Sequence, residues 1–201
     1  MFRGPTRAMM VIGLAATAGA AQGSLPIATL SAIKEATVMI VTSAEDDPGA
    51  TQSGSGFLIR AEGQTGYVVT NDHVVSLPRD VSDTPPRIQV VLRSGTPRRH
   101  EVPAELVATA ADPDLAILKL AGIPELPTPI DLLKEAELVE TRPVYSFGFP
   151  FGEALAAGRG NPAVVVNTGT LSSVRRAADG RPSTVLINGA LNPGNCEGTR
   201  R

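Results

Sequence analysis

The sequence predicts an all-β body of short antiparallel strands, closed into a barrel or stacked as a sandwich. Two observations carry that expectation. The 201 residues include 17 Pro and 20 Gly, which cut the chain into short pieces. Between these breaks, apolar and β-branched runs follow one another closely, with no long helix to separate them. With no Trp, 2 Tyr and 5 Phe, the core has to be filled by Val, Ile, Leu and Ala. At 42% hydrophobic and 19% charged, the chain can bury a core for one domain or two small ones, which excludes disorder as its main state.

Arg3 and Arg7 precede a small, apolar run from Ala8 to Ala21. It is shorter than the roughly 20 residues of a spanning helix. Ala18-Gly19-Ala20 then offers the small-x-small pattern of a signal-peptidase site. Residues 1–21 therefore read as a signal peptide. The mature chain is expected to be exported, periplasmic or extracellular, without stable membrane insertion.

Beyond it, Ile27, Leu30 and Ile33 recur at helical spacing from Leu25 to Ala36, and Thr37 to Thr42 is a β-branched run. A short helix should lead into a first strand. Glu45 to Ser53, with Pro48-Gly49, reads as a loop. Gly54 to Arg60 and Gly66 to Thr70 read as a hairpin that delivers His73 where its second arm ends. Further strands are expected at Arg87 to Arg93, Glu101 to Ala108 and Asp114 to Leu120. Ala121 to Pro129 holds three prolines and reads as a domain linker. After it, Pro143 to Phe149, Ala163 to Val174 and Ser183 to Asn188 read as strands, and 189–198 as a turn-rich stretch.

Acidic residues outnumber basic ones by 20 to 18, and no basic stripe is interleaved with aromatics. Nucleic acid is not an expected partner. Two His and one Cys at unrelated positions do not form a ligand set, so neither a metal nor a cofactor is expected. His100, within Arg98-Arg99-His100-Glu101, reads as solvated.

A histidine at a strand end, an aspartate opening a later strand and a nucleophile-type side chain in a late glycine-rich turn follow in the order of the chymotrypsin-type triad. Five stretches make this specific. They are Gly54-Ser55-Gly56-Phe57, Thr70-Asn71-Asp72-His73-Val74-Val75, Asp114-Leu115-Ala116-Ile117-Leu118-Lys119, Gly148-Phe149-Pro150-Phe151-Gly152 and Leu191-Asn192-Pro193-Gly194-Asn195. In that order they resemble trypsin-like serine proteases of the HtrA (Deg) type.

The resemblance implies a chymotrypsin-like double β-barrel, with a first barrel over 22–121 and a partial second barrel over 130–201. It implies polypeptide substrates and possible homo-oligomers. By carry-over, His73 matches the general base and Asp114 its orienting carboxylate, with Asp72 and Asp112 as the competing choices. The backbone N–H groups of Gly194 and Cys196 match the oxyanion donors.

The pattern departs at the nucleophile, where family members have Gly-Asn-Ser-Gly-Gly-Pro and this chain has Gly194-Asn195-Cys196-Glu197-Gly198-Thr199. Cys196 takes the serine's place and a thiol can do the same acyl chemistry. Glu197 puts a carboxylate where a thiolate and an oxyanion would form. The family also continues with strands that complete the second barrel, whereas this sequence stops at Arg201. Two readings follow. One is an exported endopeptidase using His73, Asp114 and Cys196, with peptide hydrolysis expected to be very poor. The other is a non-catalytic relative, either a truncated product or a peptide-binding scaffold.

Export is open to a direct check. Sequencing the N-terminus of protein taken from its native host is expected to show a start beyond Ala20; a cytosolic chain beginning at Met1 would exclude it.

Overall fold

The computed structural model describes residues 25–45, 47, 50–77, 84–134, 136–150 and 162–189. Six strands close into an antiparallel barrel, and three form a separate sheet against it. The barrel comprises β1 (Thr37–Ser43), β2 (Thr51–Glu62), β3 (Thr65–Thr70), β4 (Arg87–Leu92), β5 (His100–Ala110) and β6 (Leu115–Leu120), in the order β1-β2-β3-β6-β5-β4. Pairing of β4 with β1, Val90 opposite Ile40, closes the ring. The second sheet is a meander of β7 (Pro143–Gly148), β8 (Val165–Arg176) and β9 (Pro182–Gly189). Two helices complete the elements: α1 (Ile27–Ala36), which runs straight into β1, and the one-turn α2 (Asp72–Val75) after β3.

Alternation along the strands fills the barrel. On β6, Ala116, Leu118 and Leu120 point inward at the two-residue period, and they meet Ile40, Leu58, Val68 and Val90 in one aliphatic cluster. β1 is different because both of its faces are covered. Val38 and Ile40 fill the barrel, while Met39 packs outward with Val91, Phe149 and Val164 under the second sheet. A strand buried on both sides needs a continuous apolar run, which is what Val38-Met39-Ile40-Val41 supplies.

Several elements differ from their sequence-based expectations. β2 starts at Thr51, inside the stretch read as a loop, because pairing with β1 continues to Ser43 opposite Thr51. β5 is longer than expected, and its register shifts between Leu106 and Ala108, a bulge that leaves Val107 exposed. The expected helix α1 is present, with Ile33 buried and Ile27 82% exposed. The proline-rich stretch after β6 has no regular structure, as expected, and is tied to the barrel by backbone hydrogen bonds. Ile123 lies in the core, its N–H donates to the Gln64 carbonyl at 3.1 Å, and Ile130 N–H donates to the Leu58 carbonyl at 2.8 Å.

At the β8–β9 turn, the Arg181 backbone N–H and then its guanidinium bond the Asp179 carboxyl and hold it below the usual carboxylate range. The barrel meets the second half at the β4–β5 turn, where Ser94 Oγ donates to the Pro162 carbonyl at 2.7 Å. Beside it, Gly95 has φ +80, and a Cβ there would stand 2.6 Å from Ala163 Cα. Gly95→Ala should therefore suffer both left-handed strain, about 1–2 kcal/mol, and a backbone clash. Gly122, φ +74 with open space around it, isolates the strain alone. In urea unfolding Gly95→Ala is expected to lose clearly more stability than Gly122→Ala; equal losses would remove the packing role from Gly95.

Candidate active site

β3 and β6 run antiparallel with Thr70 opposite Ala116, so the residues just past β3 face those just before β6. His73 lies on the first side of this junction, not at the strand end itself but within α2. Val74 and Val75 plug into the barrel core and orient the turn. Thr42 Oγ donates to the Val74 carbonyl at 2.7 Å. The Gln52 side-chain amide lies 3.0 to 3.1 Å from the carbonyls of His73, Val74 and Ser76. Thus the carbonyls that a one-turn helix leaves open find donors on β1 and β2.

Asp114 lies on the other side, one position before β6, in a turn where its N–H donates to the Ala111 carbonyl at 3.1 Å. Its φ of +66 lies in the left-handed region, which aspartate tolerates better than most residues. This turn lifts the carboxylate to the histidine. His73 Nδ1 is 2.7 Å from Asp114 Oδ2, and the His73 backbone N–H donates to Oδ1 at 3.0 Å.

Both carboxylate oxygens are therefore occupied by one residue. An ionised carboxylate only accepts, so a neutral imidazole in this arrangement carries its hydrogen on Nδ1 and leaves Nε2 with a free lone pair. Nε2 is shielded from solvent and has no hydrogen-bond partner among the described residues. The side chains as a whole are 25% and 15% exposed. Chemically, such a pair can serve as a base through Nε2. Of the competing carboxylates, Asp72 accepts from Ser76 Oγ at 3.4 Å, and it is Asp114 that meets the imidazole. His100 is exposed at the start of β5. Gly194, Cys196 and Glu197 lie outside the described residues.

Three side chains that the sequence reading did not assign shape the site. Asn71 donates from Nδ2 to the Asp114 carbonyl at 3.0 Å and approaches Oδ2 at 3.4 Å. Gln52 fell in the expected loop, so its role was invisible without the β1–β2 register. Ser55 joins the two halves: its carbonyl accepts from Thr70 Oγ at 2.9 Å and its Oγ accepts from the Phe149 N–H at 2.8 Å. Both Asn71 and Ser55 lie in stretches noticed for their pattern, but pattern names no partner.

A closed six-stranded barrel with a paired His and Asp at one end, packed on a second antiparallel sheet, defines the chymotrypsin-like class. The family model of the trypsin-like peptidase domain matches residues 54–198. Over 152 residues the chain is 32% identical to Protease Do-like 1, chloroplastic, of Arabidopsis thaliana, covering 73% of this chain and 29% of that protein. It is 27% identical over 159 residues to the Serine protease Do-like HtrA of Bacillus subtilis (strain 168), covering 78% and 33%.

The chain belongs to the trypsin-like peptidase family and is of the HtrA type. It spans about a third of the length of these curated relatives. Among solved structures, Deg5 superimposes with a TM-score of 0.63 at 20% identity, covering 85% of this chain and 75% of that one. The HtrA-type protease AlgW with tripeptide gives 0.58 at 25%, covering 83% and 47%. Among the described residues no helix is long and apolar enough to cross a membrane.

The Gly54-Ser55-Gly56 stretch offers a test of how the histidine turn is seated. A Cβ on Gly54 would lie 2.5 Å from Val74 Cγ2. Gly54→Ala is expected to cost about 1–3 kcal/mol through overpacking, and Val74→Ala in the same chain should recover part of it. A double-mutant cycle by denaturant unfolding reads the coupling, and purely additive losses would show that the two residues do not contend for the same space.

Proposed function

We propose that this chain is an exported HtrA-type endopeptidase in which His73, Asp114 and Cys196 act together on peptide bonds. The observation that supports this reading is the 2.7 Å contact of His73 Nδ1 with Asp114 Oδ2, reinforced by the His73 backbone N–H on Oδ1. Asp114 holds the tautomer, so Nε2 is free to take the proton of the Cys196 thiol. The thiolate attacks the scissile carbonyl, and the backbone N–H groups of Gly194 and Cys196 receive the developing oxyanion. The imidazolium then gives its proton to the leaving amine, and water, deprotonated by the same Nε2, cleaves the thioester. In this reading residues 1–21 are removed, 22–121 bear the base and its carboxylate, and 130–201 bear the nucleophile turn.

Glu197 sets the expected rate. A carboxylate next to the nucleophile position in sequence opposes both a thiolate and a forming oxyanion. Turnover should therefore be slow, and the same residue favours the second reading, a relative that binds peptides without cleaving them.

The experiment follows casein degradation by the chain and its variants. Cleavage is expected to be slow, to vanish in Cys196→Ala, and to rise in Glu197→Gly. In the Glu197→Gly background, Asp114→Asn should lower kcat by about 10⁴. Casein that binds but stays intact even with Glu197→Gly would establish the second reading.

A further inference from the structure

Asn71 occupies the N-cap position of α2, a place where asparagine normally turns its side-chain oxygen to the N–H of the second or third helical residue. It makes no such bond. Both of those donors are already engaged: the His73 N–H by Asp114 Oδ1 at 3.0 Å, and the Val74 N–H by the backbone carbonyl of Asn71 at 3.1 Å. The carboxylate of Asp114 has taken over the capping bond. The displaced Asn71 side chain, in a residue only 3% exposed, reaches back to Asp114.

Its amide group meets the Asp114 carbonyl at 3.0 Å and Oδ2 at 3.4 Å. Both of these atoms are acceptors, so the amide must present its NH₂ group and its orientation is determined. The shorter bond secures the backbone of a residue held at φ +66, a conformation that is costly outside glycine. The longer one reaches the carboxylate oxygen that accepts from His73 Nδ1.

We infer that Asn71 is a positioning residue, holding Asp114 so that Oδ2 stays on Nδ1 and the hydrogen of the imidazole stays there too. This deepens the proposed function and rests on it for its catalytic meaning, but the tautomer itself can be read without any turnover. Gln52 provides the contrast. It supports the same turn through the carbonyls of His73, Val74 and Ser76, with no bond to Asp114 among those it makes there.

The test uses the full chain carrying His100→Gln, which leaves His73 as its one histidine. Long-range proton–nitrogen correlation spectra, taken where the imidazole is neutral, give the ratio of Nδ1–H to Nε2–H tautomers. That ratio is expected to favour Nδ1–H in the parent and to reverse in Asp114→Asn. Asn71→Leu keeps a similar volume and removes the donors, and it should lower the ratio about tenfold or more, as expected for loss of a hydrogen bond to a charged group. Should Asn71→Leu not fold, Asn71→Ala is read in the same way. Gln52→Leu is expected to reduce stability while leaving the ratio near that of the parent.

A folded Asn71 variant with the parental ratio would overturn the inference. So would a parent without an Nδ1–H preference, or an equal fall in Gln52→Leu, which would assign the effect to the integrity of the turn. A chain that cleaves no casein yet shows the expected tautomer changes contradicts the proposed function and leaves the role of Asn71 intact.

Discussion

The antiparallel ladder between β3 and β6 is the constraint on which the site depends. Its register, Thr70 opposite Ala116, brings His73, three residues past Thr70, beside Asp114, two residues before Ala116. A slip of one residue would turn every β6 side chain to the other face and expose Leu118 and Leu120. Burial of that alternating face therefore holds the register, and the register holds His73 against Asp114. Core packing and site geometry are one constraint here.

Around that ladder, a few small residues allow close approach. Gly54 leaves space for Val74, and Gly56 lies so near Ile40, Val68 and the Val69 carbonyl that a Cβ would stand 2.8 to 2.9 Å from each. Ser55 between them bonds toward β3 and toward Phe149. One tripeptide thus seats the histidine turn, closes the barrel wall and joins the second sheet. These jobs explain why glycine and a small hydroxyl residue alternate there, independently of any catalytic role.

The His73–Asp114 pair also illustrates how polar groups near a core are satisfied by exchange. The carboxylate caps the turn that carries its own partner, and the asparagine freed from capping supports the carboxylate. Each bond is worth about 1 kcal/mol or somewhat more with a charged acceptor. Linked, they tie α2, the turn before β6 and the imidazole into a single network, so displacement of one member is felt by the others.

Sequence alone determined the all-β character and the order of the strands, and it singled out His73 and Asp114, which the fold brings into contact, because period-two alternation, turn residues and short motifs are local properties. It also marked Cys196 and Glu197 as a departure from the family pattern. It missed the start of β2, which depends on what lies opposite. Tertiary structure alone decided that β1 is buried on both faces, that Gln52 and Thr42 brace the histidine turn, and that Asn71 turns toward Asp114. The physical reason is distance along the chain: Asn71 and Asp114 are brought together by barrel closure, and no local pattern records which donor a folded barrel will place beside which acceptor.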